Sequence, residues 1–166
     1  MAGMINQLID LLNEQAERYQ ELLGLSIEKK SAIISNDVDA LQKITHLENL
    51  VVSQTQKLEK KRLAVMKDIA AVVNKQEEEL TLSALIEMMQ GQKEQEELSA
   101  AGSRIRETLG GLSEANAHNA SLIKNALDYI EYSINIIRSS VSQAPPMYTN
   151  KGEQISDAPG VFDAKH

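Results

Sequence analysis

The side chains with the most potential for chemistry are three histidines, and their spacing does not form a metal or acid–base site. His166 is the last residue, whereas His46 and His118 fall within predicted helices. Di-iron sites in helical bundles need Glu-x-x-His pairs on two helices, but Glu114 and His118 are four residues apart and this pairing occurs once. We therefore expect no metal, and we interpret His118 as a solvent-exposed helix residue.

Sequence motifs that mark enzymes do not occur either. The absence of cysteine excludes disulfides, thiolate metal sites and cysteine nucleophiles. The phosphate-binding loops GxxxxGKS/T and GxGxxG, the GxSxG nucleophile elbow and the HExxH zinc motif are also absent. We expect no enzymatic activity, no catalytic residue and no cofactor, and we keep an enzyme with an unrecognised helical site as one alternative.

The composition argues against nucleic-acid binding. The 166 residues include 24 acidic and 17 basic side chains, a net charge of -7, and only one Phe and four Tyr. Nucleic-acid binding needs a basic face or aromatic stacking platforms. A local basic stretch is offset by Glu59 and Asp68, which predicts a salt-bridged surface rather than a membrane or nucleic-acid patch. This stretch contains Lys57, Lys60, Lys61, Arg62 and Lys67.

The sequence predicts a soluble cytoplasmic protein. No apolar stretch approaches the roughly 18 residues that a membrane span needs, so no membrane insertion is expected. The N-terminal sequence MAGMINQLIDLLNEQ has no basic region and is interrupted by Asn6, Gln7 and Asp10, so it does not read as a secretory signal.

Proline placement predicts where long helices form. All three prolines lie at or after Pro145, and a proline-free run permits long helices. Together with the helical spacing of Leu, Ile and Val, this predicts an all-α fold. We expect an elongated antiparallel helical bundle or coiled coil of three long helices, with a short extra helix and a disordered tail. The predicted helices cover about 2–35, 37–74, 82–90 and 92–142, within a helical domain over 1–143 and a flexible tail over 144–166.

The predicted second helix carries an unbroken alternation of four- and three-residue steps along one face. Such a seven-residue repeat is typical of a coiled-coil pair, and the short connection near Asn36 predicts that the first two helices are antiparallel neighbours. This register brings Arg62 to Asp10 or Glu14, and a partly exposed pair is expected to contribute about 0–1 kcal/mol. The face contains Leu41, Ile44, Glu48, Val51, Thr55, Leu58, Arg62, Val65, Ile69 and Val72.

The predicted third long helix has more apolar residues near its C-terminal end than one contact face needs. An exposed apolar helical face indicates a protein-binding groove or a self-association site, unless the other helices cover it completely. Asn116 and Asn119 occupy adjacent positions of the contact face, where a buried Asn needs a partner and commonly specifies helix register. The predicted binding residues are Leu122, Ile123, Leu127, Ile130, Ile134 and Ile137.

The order and spacing of several segments resemble those of the FlgN family of flagellar type III export chaperones. Each segment alone is common in helices, but together they extend the resemblance over most of the chain. The similar segments are residues 22–51, the Leu58-x-x-x-Arg62 step, LTLSALI at 80–86, NAHNASLI at 116–123, and YTNKG with Tyr148 and Gly152.

The resemblance implies a cytoplasmic, all-helical chaperone without ATPase activity. Its partners would be the hook-associated proteins, the first and the third, which it would hold unpolymerised and deliver to the export gate. The family's substrate-binding role is attributed mainly to the C-terminal helical region, where the apolar excess lies. Tyr148, displayed beyond Pro145 and Pro146, is the candidate residue for docking on the cytoplasmic domain of the export gate.

Two further alternatives stay open from the sequence. One is a different helical flagellar chaperone or adaptor, whose cargo would be the filament cap protein or flagellin. The other is a structural coiled-coil protein whose C-terminal apolar surface forms a homodimer.

Overall fold

The described part of the chain folds entirely into helices. The structure is a computed structural model that describes residues 1–142, and no strand occurs among them. This confirms the all-α prediction, and each observed helix end lies within two residues of the predicted one. The helices are α1 (Ala2–Ile34), α2 (Val38–Val72), α3 (Leu82–Met88) and α4 (Lys93–Ser142).

The connection between α1 and α2 is short because two residues reverse the chain and restart the helix. Asn36 adopts a positive φ of 55°, which Asn tolerates better than most residues. The Asp37 carboxylate accepts a hydrogen bond from the backbone amide of Ala40, 3.0 Å away, and so caps the start of α2.

Two polar contacts define the alignment of α1 with α2. The Gln15 side chain donates a hydrogen bond of 2.9 Å to Glu59, and Lys29 forms an ion pair of 2.9 Å with Glu48. Residue numbers fall along α2 as they rise along α1, so the two helices are antiparallel, as the short connection predicts.

The predicted carboxylate partner of Arg62 is wrong. The Arg62 guanidinium binds Glu59 of its own helix, with Nη2–Oε1 at 2.6 Å and Nε–Oε2 at 2.8 Å. No ion pair joins Arg62 to Asp10 or Glu14 within residues 1–142. A carboxylate three residues earlier lies on the same helix face and reaches the guanidinium without any matching of two helices.

All four helices contribute to one apolar cluster. It joins the N-terminal half of α1, the C-terminal half of α2, α3 and the start of α4. Thr81 caps α3 by accepting from the amide of Ala84 at 3.1 Å, which helps so short a helix to form. The most deeply buried members are Ile5, Leu8, Ile69, Leu85 and Leu98.

A second apolar cluster joins the other halves of α1 and α2 to the middle of α4. Leu22 and Val51 are buried in it, and Leu112 of α4 packs against it. A Cβ atom at Gly111 would lie 3.6 Å from the side chain of Leu23, so this α1 side chain packs against α4 at the glycine.

The chain divides into two compact units within α4. The first comprises Met1–Ile123 and contains both apolar clusters. The second comprises Lys124–His166, and its described residues are the last turns of α4, 124–142.

Candidate functional site

The described residues of the second unit expose a row of large apolar side chains. Ile130 is 52 % exposed and Ile134 is 42 % exposed, and Leu127 and Ile137 are still more open. Steps of three and four residues place these four side chains on one side of α4. Exposed apolar rows of this kind are suited to bind an apolar partner.

The six predicted binding residues do not all belong to the same unit. Leu122 is half-buried and Ile123 is exposed, and both lie in the first unit. The other four lie in the second unit, where they form the exposed row described above.

A second exposed row was not part of the predicted set. Tyr129, Tyr132 and Ile136 are exposed and follow three- and four-residue steps. At about 100° per residue, their row lies roughly on the other side of α4 from Ile130 and Ile134. This second row could have been predicted from the sequence, because its residues are spaced at helical intervals and the helix has apolar residues on most sides.

Asn116 and Asn119 meet a serine of α1. The Asn119 amide donates to the Ser26 backbone oxygen at 2.8 Å and to Ser26 Oγ at 3.2 Å. Ser26 Oγ donates to Asn116 Oδ1 at 3.0 Å. Asn119 is only 4 % exposed, so these bonds satisfy polar atoms that would otherwise be buried without partners. The network aligns α4 with α1, because a shift of either helix would break it.

An open groove lies beside this network, within the first unit. Its volume is about 420 Å³, within the range of cavities that bind ligands. Residues of α1, α2 and α4 line it, and those of α2 were not among the predicted site residues. The lining includes Leu22, Lys29, Glu48, Val52, Leu112 and Ile123.

A second groove, of about 400 Å³, lies nearer to α3 and surrounds the Glu59–Arg62 pair. Gln15 is buried and donates to Glu59 from across the helix pair. The hydrogen bond from Arg62 holds the pKa of the Glu59 carboxyl below its usual value, although burial opposes this effect. The same hydrogen bond raises the pKa of Arg62, and burial raises the pKa of the Tyr19 phenol.

Replacing Glu59 by glutamine should therefore lower stability in a pH-dependent way. The folded-state pKa of Glu59 lies below the unfolded one, so its contribution is complete above about pH 4.3 and disappears as the pH falls through the folded-state value. The pair is partly exposed, so Glu59→Gln should cost about 0–1 kcal/mol at pH 7 and less than that at pH 2. Urea unfolding at both pH values measures this. An equal cost of Glu59→Gln at both pH values would contradict the assignment. An equal cost of Glu14→Gln would also contradict it, because Glu14 is exposed.

Residues 1–142 offer neither a metal-binding cluster nor a membrane-spanning helix. These residues contain no group of three or more His, Asp or Glu side chains that could hold a metal ion. No described helix is long and apolar enough to cross a membrane. Tyr148, the candidate gate-docking residue, lies outside the described residues.

The described residues define an all-helical protein with an exposed apolar row at the end of its last helix. Its core joins all four helices, and the last described turns of α4 present apolar side chains to solvent. The family model described as FlgN protein matches residues 1–155, so the chain belongs to the FlgN family. FlgN proteins are chaperones of flagellar export, which is a binding role rather than an enzymatic one. No curated protein and no solved structure matches the chain.

Proposed function

We propose that this chain is a cytoplasmic type III export chaperone for the hook-associated proteins, the first and the third. It binds them before assembly, prevents premature polymerisation and delivers them to the export gate. The observation that supports this proposal most directly is the exposed row of Leu127, Ile130, Ile134 and Ile137 in a member of the FlgN family.

The physical chemistry of the exposed row suits this role. Segments that are disordered before assembly can fold on binding and lay an amphipathic helix along an apolar surface. Ile and Leu at helical spacing offer such a surface without any input of ATP. The net charge of -7 favours solubility of the free chaperone despite its exposed apolar side chains.

Co-expression tests the proposed cargo. We expect a complex with the first or the third hook-associated protein to stay intact during size-exclusion chromatography with light scattering. Flagellin and the filament cap protein are the matched comparisons, because they are the alternative cargoes. A complex with either of them and none with the hook-associated proteins would reassign the cargo. A dimer of the free chain that binds none of the four would favour the structural coiled-coil alternative.

The gate-docking proposal concerns Tyr148. Replacing Tyr148 by alanine should weaken binding of the cargo-loaded chaperone to the cytoplasmic domain of the export gate by roughly 1–3 kcal/mol, the range for an aromatic interface anchor. Binding of cargo and the melting temperature should stay unchanged. Tyr132→Ala is the control, because it removes an exposed tyrosine of α4 and leaves Tyr148 in place. Wild-type affinity of Tyr148→Ala for the gate would place delivery elsewhere in the chain.

A further inference from the structure

The two grooves of the first unit are both lined by α1, α2 and α4. In α1, Leu12, Gln15, Tyr19 and Leu22 line the grooves and follow three- and four-residue steps, so they share one helix face. Most lining residues of α2 share one face of that helix, and so do most of those of α4. They are Glu48, Val52, Glu59 and Arg62 in α2, and Gly102, Ile105, Leu109, Leu112, Asn116, Ala120 and Ile123 in α4. The two grooves therefore lie along the same faces of the three helices, and we call them together the trough.

The floor and the walls of the trough differ in burial. The floor is α1, because Leu12, Gln15 and Leu22 are all buried. The walls are α2 and α4, where Val52 and Ile123 are each 39 % exposed. Both walls thus present apolar side chains that the described chain leaves partly uncovered.

A helix of this same chain already lies at one end of the trough. Leu82 of α3 lines the groove that contains Glu59 and Arg62. A Cβ atom at Gly102 of α4 would lie only 3.1 Å from Leu82 Cδ2, so the Leu82 side chain packs directly on the α4 backbone at this glycine. Three residues further along α3, Leu85 is fully buried in the four-helix cluster. The α3 helix has only 7 residues, and the open grooves begin where it starts.

The charges of the trough favour one kind of occupant. Glu59 neutralises Arg62, and Glu48 neutralises Lys29. Arg106 lines the groove nearer to α3, is exposed, and has no carboxylate within 4.0 Å among residues 1–142. The trough therefore carries an unneutralised positive charge beside apolar walls, although the chain as a whole has a net charge of -7.

We propose that the trough binds an amphipathic helix of the exported subunit, which extends the four-helix packing of α3 along the first unit. Its apolar residues at three- and four-residue spacing occupy the two grooves, and a carboxylate on its polar edge pairs with Arg106. A second copy of the chain fits less well, because docking would bring together two molecules of net charge -7. This inference rests on the proposed chaperone function and adds a contact region in the first unit to the exposed row of the second.

Site-specific cross-linking tests the trough directly, because the chain has no native cysteine. Single variants Val52→Cys and Ala120→Cys place one thiol on each wall, and a maleimide–benzophenone reagent then labels whatever lies within reach. Leu50→Cys is the matched control, since Leu50 is 51 % exposed and lies two residues, or about 200°, around α2 from Val52. We expect at least fivefold more cross-linking to the hook-associated protein from positions 52 and 120 than from position 50.

A blocking variant measures the affinity of the trough. Val52→Asp combined with Ala120→Arg should weaken binding of the hook-associated protein at least tenfold in calorimetric titration. Leu50→Asp should change the affinity by less than twofold. Both substituted positions are exposed, and circular dichroism checks that the helix content is retained.

The outcomes separate the trough from the function on which it rests. Failure of the wild-type chain to bind any hook-associated protein would overturn the proposed function. Wild-type binding with equal cross-linking from all three positions would overturn the trough and leave the function standing. Cross-links between two copies of the free chain from positions 52 and 120 would also overturn it, since a second copy would then be the occupant.

Discussion

Replacing Ile130 and Ile134 by aspartate is expected to abolish cargo binding while the protein stays folded. Both side chains are exposed in the described structure, so the substitutions create no cavity and bury no charge in the free protein. In a complex the two carboxylates would face apolar cargo side chains, and an unpaired buried charge costs several kcal/mol. Micromolar affinity corresponds to a binding free energy of about 8 kcal/mol, so two buried charges are enough to eliminate such binding.

Calorimetric titration and circular dichroism on the same double variant give the answer. Asn135→Asp is the control, because it adds a charge next to Ile134 but about 100° around the helix. Lost binding with unchanged helix content and melting temperature supports the exposed row as the cargo site. Lost helix content would instead mean that these isoleucines belong to a core, and unchanged binding would reject the site.

Truncating Leu98 to alanine should destabilise the protein by about 2–5 kcal/mol, the range for fully buried leucines. Leu98 is 0 % exposed and lies at the start of α4, in the cluster where all four helices meet. The cost has two parts: the lost transfer free energy of the removed methyl groups, and the free energy of the cavity that rigid neighbours leave open. Because the cluster also includes Leu85 of α3, the position of α3 should become less fixed when this packing weakens.

Chemical denaturation with a helical signal measures this cost. Leu109→Ala on the same helix is the matched control, since Leu109 is 39 % exposed and its truncation should cost under about 1 kcal/mol. A difference of less than 1 kcal/mol between the two variants would falsify the assignment of Leu98 to the core.

The repeat on α2 was readable from the sequence because it is local. Leu58, Val65 and Ile69 recur at coiled-coil spacing, and all three are buried in the structure. Their positions on one helix face depend only on the geometry of the helix, so no knowledge of the partner helix was needed.

The partner of Arg62 shows where that reasoning stops. A register accurate to one helical turn predicted a carboxylate on α1, yet Glu59 of the same helix binds the guanidinium and Gln15 reaches it from α1. A long side chain can bind any of several hydrogen-bond acceptors within its reach. Which acceptor it binds depends on side-chain conformation and local burial, and the spacing of residues in the sequence does not determine these.

The polar contacts of α4 give a similar lesson. The sequence indicated that Asn116 and Asn119 lie on a contact face and that a buried Asn needs a partner. It did not identify Ser26, which lies 93 residues from Asn119 and meets it only when α1 and α4 pack together.

By itself the sequence determined the helical class, the helix ends to within two residues, the lack of recognisable catalytic motifs and the apolar excess near the end of α4. These properties follow from proline placement, residue spacing and local propensity, which act over a few turns of the chain. Only the tertiary structure decided which apolar residues are covered, that Leu82 of α3 lines the groove beside Glu59 and Arg62, and that Val52 and Ile123 line the same groove. Such features depend on contacts between residues far apart in sequence, and those contacts exist only once the helices have packed at a particular register.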